Sequence, residues 1–588
     1  MNNKFFKIIG ISIFVIGGLF LTYKFTFGAS SKMFKLIPLE SDFVYKINFK
    51  QLISKLDIEK LKESFVYSMM EKEKDKEAED FSFNFFYQLV KSPMESGIDF
   101  STNGYGYSFE KGNGSYMAFA FAIDDKNDFD AYVKKCVYDT AKISTKGKLT
   151  IIKIDSRNVF GYNGKYGIFL NTIETDRVRE NPLEMALVYL FDLYGKENFT
   201  NNKNAKKLSK LDGDMVFLLD YKELLKDVLG YNFGKSSKSK NKGDYEFSVL
   251  SAISFENDRI NIESDLLFDT KEALLKFEPI VAKHGITKAQ LPFLTNEKIL
   301  GMMTLSVNYT ELIERLGKEY EKQLGLNDKS LREFGLTSEE YKNLFVGDLS
   351  VTLLELKNKT EDYNTYEYNE QDKTVKSVIK QRANLRPVLS ATVLIKDQTI
   401  FKKMMKNLCN KNPESMTPEF GQFKSRYERY ASPFEFYYCV NGDYFTIIND
   451  SALAYKLKLE GKLGTPPENV KQLATENTFS FFLDLNYKNY PDEFKSQYLR
   501  KIYSEPMAND VLGSLSSFSV TANKQHSTMV LELTKQDQNS LFRIFNLIDK
   551  FAKQQEEKEK EINDRYQKES EEMESEAEAP EVTTESTR

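Results

Sequence analysis

Apolar and polar positions along this chain fall into one phrase that recurs four times: an apolar strand, an Asn or Asp at its end, then an amphipathic helix. The phrase reads VYKINFKQLISKL, VFLLDYKELLKDV, MTLSVNYTELIERL and FFLDLNYKNYPDEF, with the capping position at Asn48, Asp220, Asn308 and Asn486. The first and third caps lie 260 residues apart, the second and fourth 266. Other landmarks keep the spacing. The strand ends at Ile123 and Ile395 are 272 apart, the hairpin tips Asn163-Gly164 and Asn441-Gly442 are 278 apart, and Leu274 and Phe277 precede Leu541 and Ile544 by 267. Drift of a few residues is what loop insertions produce, because lengthening a loop costs little closure entropy. Chance recurrence of apolar strands is the bland alternative, and five ordered landmarks argue against it.

The repeated Asn/Asp has the type of a catalytic acid but the context of a helix cap. Gln51, Glu223 and Glu311 stand three residues after the first three caps. That is the capping-box spacing, in which the first side chain accepts an early helical N–H and the fourth residue reaches back. Between the caps the pattern predicts strands at 43–47, 104–109, 116–123, 149–154, 159–162 and 166–170. It continues with strands at 215–219, 247–255 and 260–268, and with helices near 129–138 and 271–279. The Asn-Gly tips predict type I′ hairpin turns, since both residues accept positive φ. Strand–helix–strand–strand–helix order predicts an α+β fold: a tandem duplication of two domains, 34–288 and 289–552, built from ferredoxin-like units with helices on one face of mostly antiparallel sheets.

The N-terminus carries the second signal. Lys4 and Lys7 precede the uncharged run Ile8–Tyr23, followed by Lys24. Sixteen residues at 1.5 Å each cover about 24 Å, and a snorkelling Lys24 lets such a helix reach the roughly 30 Å hydrocarbon span. Residues 1–33 are therefore expected to be a signal anchor, a single transmembrane helix. Phe27 is a poor −3 residue for cleavage after Ala29, although cleavage after Gly28 or Ser30 with secretion is the alternative. Lys4 and Lys7 place the N-terminus in the cytoplasm and the bulk of the chain in the periplasm. Lys24, Lys32 and Lys35 pull the other way.

With the anchor, the segment FKLIPLESDFVYKINFKQLISKL, including Ile37-Pro38, resembles the Bacteroidetes envelope proteins catalogued as domain-of-unknown-function family 4836. By layout the likeness covers most of residues 35–550. It implies a cell-envelope location and supplies no activity and no catalytic residues. Many members look like lipoproteins, and this chain departs from them, since no cysteine precedes Cys136.

Candidate chemistry is sparse. The two histidines, His284 and His526, stand far apart in loops, and nothing has metal-ligand spacing. Nucleophile-elbow, Walker and dinucleotide glycine motifs are absent. The glycines of Asn103–Tyr116 lie between strands and read as a hairpin rather than a phosphate cradle. Cys136 and Cys409 fall late in paired helices and read as small buried hydrophobes. No catalytic, cofactor or metal residues are assigned.

Charge then narrows the partners. The whole chain carries −5, and the last 38 residues hold 13 acids and 6 bases. The body is thus nearly neutral, which excludes the concentrated positive charge that nucleic-acid binding draws on. Residues 553–588 read as an acidic tail that starts helical and frays into disorder. The runs 71–80 and 357–384 read as charged or polar insertions without the apolar periodicity of a packed element, and the lysine-rich 234–246 reads as a solvated loop between helix and strand, with contact to anionic lipid or polysaccharide as the alternative. With 46 Phe, 33 Tyr and no Trp, aromatics are expected mostly in sheet cores. Tyr-rich stretches at 361–371 and 425–440 are the alternative places for a peptide or glycan groove. The leading expectation is a membrane-anchored exported protein with a non-catalytic binding or scaffold role towards another envelope protein or polymer, without a cofactor. An envelope hydrolase with an inter-domain carboxylate or Ser site, and a chaperone-like holder, are the alternatives.

Overall fold

The computed structural model describes residues 30–56, 58–74, 80–112, 114–137, 143–172, 182–193, 197–220, 247–294, 299–314, 331–332, 334–369, 373–411, 416–425, 434–495, 510–535 and 538–577. The chain divides into two compact units. One is drawn from Met1–Ser41, Lys46–Ser209 and Asp537–Arg588, the other from Asp42–Tyr45 and Lys210–Gln536.

The first unit carries β2 (Gly104–Lys111), β3 (Gly114–Ala122), β4 (Ile143–Lys146), β5 (Leu149–Lys153), β6 (Asn158–Tyr162) and β7 (Tyr166–Thr172). They hydrogen-bond in the order β4-β5-β6-β7-β3-β2. One face presents Phe121, Phe160 and Phe169 to the helices Phe81–Lys91 and Lys126–Cys136. There Phe85 and Phe129 meet them with ring centroids 5.0–6.3 Å apart. Rings on a sheet face in such offset and edge contacts add to the roughly 1.5–3 kcal/mol each gains by burial. The other face buries Tyr105, Tyr107, Ala118, Ala120, Ile168 and Leu170. Gly161 belongs to that face because Leu187 of the helix Pro182–Asp192 occupies the space of a Cβ, 2.6 Å from where one would stand.

The second unit carries β8 (Met215–Asp220), β9 (Phe247–Glu256), β10 (Arg259–Phe268), β11 (Gly301–Ser306), β12 (Phe345–Asn369) and β13 (Thr374–Ile395). It continues with β14 (Phe420–Ser425), β15 (Phe434–Asn441), β16 (Tyr444–Ile448), β17 (Phe479–Asp484), β18 (Leu515–Asn523) and β19 (His526–Leu533). Their order is β8-β9-β10-β19-β18-β17-β11-β12-β13-β16-β15-β14. Leu336, Phe401, Met405 and Tyr438 build one core beneath the helix Gln398–Lys411. On the opposite face Phe293, Ile448 and Leu457 form a second core, and Met302, Val470 and Ala474 a third.

The expectation of two domains built from ferredoxin-like units is overturned. Apart from β1 (Phe43–Ile47), the described strands of each unit pair in one continuous run, six in the first and twelve in the second. Every pairing among β2–β19 is antiparallel. A ferredoxin-like unit needs crossover connections that set parallel strands side by side. Here hairpins pair most consecutive strands, and returning strands lengthen each run: β7 joins β3, β16 joins β13 and β17 joins β11. Strand order recurs, β2-β3-β7-β6-β5 in one unit and β12-β13-β16-β15-β14 in the other. The expected transmembrane helix is likewise not part of the described fold. Among the described residues no helix is long and apolar enough to cross a membrane, and the Ile8–Tyr23 run lies outside them.

The hairpin turns also differ from the expected I′ form. Asn163 pairs across to Tyr166 and Asn441 to Tyr444, so each glycine is the first of two central residues. Gly164 and Gly442 take φ of 78° and 60°, while the second central residues, Lys165 and Asp443, do not take positive φ, the pattern of type II′ turns. Asn163 serves through its side chain, accepting the amides of Lys165 and Tyr166 at 3.1 Å.

Candidate functional site

The strands β12 and β13 run far beyond their neighbours. β11 accompanies β12 only as far as Leu353, and β16 accompanies β13 only from Ser390. From Glu355↔Val388 to Asn369↔Thr374 the two strands pair with each other alone among the described strands. At about 3.4 Å per residue this two-stranded arm is about 50 Å long. A register shift between Leu353 and Glu355 marks where it leaves the sheet, the bend a β-bulge provides. Pro387 sits just outside the last β16 pairing, where its missing N–H costs nothing.

The base of the arm is clamped by the residues that follow β16. Asn449 Oδ1 accepts the Leu389 amide at 2.7 Å, and its Nδ2 donates to the Pro387 carbonyl at 2.9 Å. Lys357 Nζ donates to Asp450 Oδ2 at 2.8 Å and lies 2.8 Å from Glu355 Oε1. Asp450 also caps the helix Ser451–Glu460 by accepting the Leu453 amide. Burial opposes ionisation at Asp450, but the Lys357 ammonium and the cap amides outweigh it and hold its carboxyl below the usual range. Burial likewise opposes the charge on Lys357, which its two carboxylate partners keep above the ordinary lysine value.

Above the clamp the arm is two-faced, because strand side chains alternate. Positions 356–368 (even) and their partners 375–387 (odd) form one face of fourteen residues, of which only position 362 is charged. The other face has nine charged residues among sixteen positions, with Lys380 and Glu367 2.6 Å apart. Four exposed side chains crowd the outer end of the uncharged face: Tyr366 (75% exposed), Tyr368, Val375 and Ile379 (70%). The sequence reading took 357–384 for an unpacked insertion. Its alternation was the available signal, hidden because Asn358, Thr360, Asp362, Asn364, Ser377 and Gln381 make six of the fourteen positions on that face polar.

A second unusual feature lies at the root of the same strands. Ser480, Thr304, Ser350, Thr392 and Thr446 stand side by side across β17, β11, β12, β13 and β16, all buried. Gln290, from the turn Lys288–Phe293, roofs this seam and donates to Ser350 Oγ at 3.1 Å and the Thr392 carbonyl at 3.2 Å. Thr392 and Thr446 share a hydrogen bond of 3.0 Å, and Ser306 donates to Asp348 at 2.5 Å. Ser480 donates to the Leu473 carbonyl, Ser350 to the Thr392 carbonyl and Ser306 to Asp348, while Thr304 Oγ1 is buried without a hydrogen-bond partner. Asp348 is a carboxylate aimed at one of them, Ser306, but both are buried, so the seam is arranged for packing rather than for nucleophilic chemistry.

The residues singled out in the sequence take structural roles. Asn48, Asn308 and Asn486 accept the amides of Gln51, Glu311 and Lys488, as helix caps do; the helix expected after Asp220 lies outside the described residues. A complete capping box stands elsewhere, at Thr337 and Glu340. His284 Nδ1 contacts the Gly285 carbonyl, and His526 pairs with Asp265 at 2.8 Å on adjacent strands. Cys136, Cys409 and Cys439 are free and buried. Burial pushes the Cys136 thiol up to about 12. The glycines of Asn103–Tyr116 lie in the β2–β3 hairpin. Of the Tyr-rich stretches, 425–440 puts Tyr437 and Tyr438 into the core, whereas 361–369 belongs to the arm. The loop 234–246 lies outside the described residues, and the helix Ser540–Ala577 continues into the acidic tail. Among the described residues no three His, Cys, Asp or Glu side chains are grouped to hold a metal.

No family model matches the chain, and no curated protein does. One solved structure to which it is similar is described as "Structure of crystal form I of TP0453". The likeness covers 41% of this chain and 80% of that one, at 7% identity and a TM-score of 0.24. A likeness that distant carries no argument about fold or activity.

Proposed function

We propose that this chain is an exported envelope protein, tethered to the inner membrane by residues 1–33, that binds another envelope component without catalysis. The arm is its contact element. The observation that carries this reading is the fourteen-residue face with a single charged position, held about 50 Å long by the Asn449–Asp450 clamp. Large uncharged faces on soluble strands belong against something. The basic start of the chain and the apolar run after it support the tether, and the layout resemblance to envelope proteins supports the location.

The test is cross-linking in intact cells followed by affinity purification of the full-length protein. A variant with 356–387 replaced by a two-residue turn is the comparison. A defined set of envelope partners recovered with the parent and lost with the shortened arm is the expected result. Identical recovery from both removes the arm from the function.

A further inference from the structure

The described fold begins at Ser30, only six residues (Lys24–Ala29) after the uncharged run Ile8–Tyr23. Chain reach holds Ser30 within about 25 Å of the end of that run. From there Met33, Phe34, Leu36 and Ile37 are buried, which seats the segment in the first unit. It runs beside the turn Phe199–Asn201. The Phe199 amide donates to the Ile37 carbonyl at 2.9 Å, Pro38 and Asn198 form a β-bridge, and the rings of Phe34 and Phe199 stand 5.5 Å apart. The surface these two segments carry is basic. Lys32 is exposed and Lys35 half-buried on the first, and Lys203, Lys206 and Lys207 are exposed on the second. Buried Ala205 and Leu208 fix the helix Ala205–Lys210 with its lysines outward. Lys203 lies within about 14 Å of Phe199 by chain reach, and the helix follows directly. Residues 30–41 and 197–209 together hold these five lysines and only two acids, Glu40 and Glu197, in a chain whose net charge is −5. Positive charge is thus gathered where the apolar run joins the fold. Anionic headgroups attract lysines held that close to a bilayer, over a Debye length of about 8–10 Å.

We propose that this lysine face lies against the phosphates of anionic lipid headgroups and sets which side of the first unit faces the bilayer. The inference rests on the tether of the proposed function and adds an electrostatic contact to it. An apolar span alone holds a domain near the surface and leaves it free to turn; a basic face beside the span selects one side. Lys32 and Lys35, which pull against an exported body when read as topology signals, gain a role as part of this contact.

The native cysteines are all buried, so one introduced thiol reports its own surroundings. Full-length protein carrying Asn201→Cys, exposed beside the lysines, is labelled with a fluorophore. It is compared with Ser144→Cys, exposed on β4. Phe34 meets Tyr105 of β2, and β4 is the opposite edge of that strand order, about 24 Å away. Each protein is reconstituted into vesicles of phosphatidylcholine, alone or with about one third phosphatidylglycerol, that carry a little lipid with a nitroxide on its headgroup. The expected result is quenching at N201C about threefold stronger in the anionic vesicles, with weak quenching at S144C in both. The excess should vanish at about 0.5 M salt, and also when Lys206→Glu and Lys207→Glu are added. Equal quenching of N201C in the two vesicles, equal quenching at the two positions, or an excess that survives both changes overturns the inference and leaves the tether standing. Flotation of the same samples separates the two readings: protein that floats with neither vesicle has no tether, and both fall.

Discussion

Tyr105, Ala120 and Ile168 stand in register across β2, β3 and β7 of the first unit, and Ser350, Thr392 and Thr446 stand in the matching row of β12, β13 and β16. The next row repeats the contrast: Tyr107, Ala118 and Leu170 against Thr352, Ser390 and Ile448. All twelve are buried. What lies above them differs in the same sense. In the first unit the turn Phe34–Leu36, just before Ile37-Pro38, sets Phe34 edge-on to Tyr105 at 5.1 Å and accepts the Tyr107 hydroxyl at the Leu36 carbonyl. In the second, Gln290 stands in the same place before Leu291-Pro292 and hydrogen-bonds the hydroxyls beneath it. Floor and roof have changed together. An antiparallel sheet therefore accepts either chemistry where most of the buried polar groups that enter find partners, as Ser350, Thr392 and Thr446 do.

The largest expected effect tests the apolar side. Phe85 meets Phe121, Phe129, Tyr132, Phe160 and Phe169, so Phe85→Ala should cost about 3–5 kcal/mol. Hydrogen exchange read strand by strand should show it in β3 and β7 and leave β13 and β16 protected. Equal loss in both sets would mean the two units unfold as one and cannot be compared separately.

Exchanging the roofs comes next. Gln290→Leu strips partners from Ser350 and from the Thr392 carbonyl and should cost about 2–3 kcal/mol. Leu36→Gln buries an amide above the row that holds Tyr105 and Ala120, at a similar cost. Exchange or urea denaturation of each variant reads the loss. A neutral Q290L would show that the seam tolerates an apolar roof, which breaks the matching argument.

A finer cut separates partner loss from polarity. Thr392→Val leaves the Thr446 hydroxyl without its 3.0 Å partner and should cost about 1–2 kcal/mol. Adding Thr446→Val should return part of it, because replacing both partners of a buried pair is far cheaper than replacing one. A double variant as unstable as the two single losses combined would show that the hydroxyls act independently.

The sequence made individual elements legible and left their assembly hidden. Alternation and turn residues place β5, β6, β7, β9 and β10 within a residue or two, because hydrophobic period and hairpin chemistry are local. Asn48 and Asn308 are readable as caps for the same reason. Sheet order is not local. Nothing in the run around Tyr444 says that β16 returns to β13, and the ferredoxin-like reading failed at that step. The short exposed strand Ile143–Lys146 went unseen for want of an apolar face. The seam is illegible for another reason: Ser and Thr at alternate strand positions look like a solvated face until a roof covers them. Gln290 gives no sign in the sequence that it is that roof.

The arm is the remaining difference between the two strand sets, and the smallest expected effect concerns its base. β2 and β3 turn over between Lys111 and Gly114, whereas β12 and β13 run on to Asn369 and Thr374. At the end of β7 the chain has Thr172, donating to the Ser115 carbonyl; just after β16 it has Asp450, holding Lys357. Asp450→Ala removes a helix cap as well as this pair and should cost about 1 kcal/mol, nearly all of it from the cap, since the half-exposed pair adds at most a few tenths after screening. The pH dependence follows from the two shifts. Asp450 has its folded carboxyl below the ordinary range, so its contribution is complete above that range and is lost as pH falls through the folded value. Lys357 is raised, so its contribution is complete below the ordinary lysine value and is lost as pH rises through the raised one. Between those limits the base of the arm should be insensitive to pH, and tryptic cleavage at Lys376 and Lys380 should run at one low intrinsic rate. D450A should raise that rate severalfold at neutral pH while leaving cleavage in the first unit unchanged. Unchanged cleavage of the arm would mean that Asn449 alone holds it, leaving the difference between the two hairpins to length and not to their anchors.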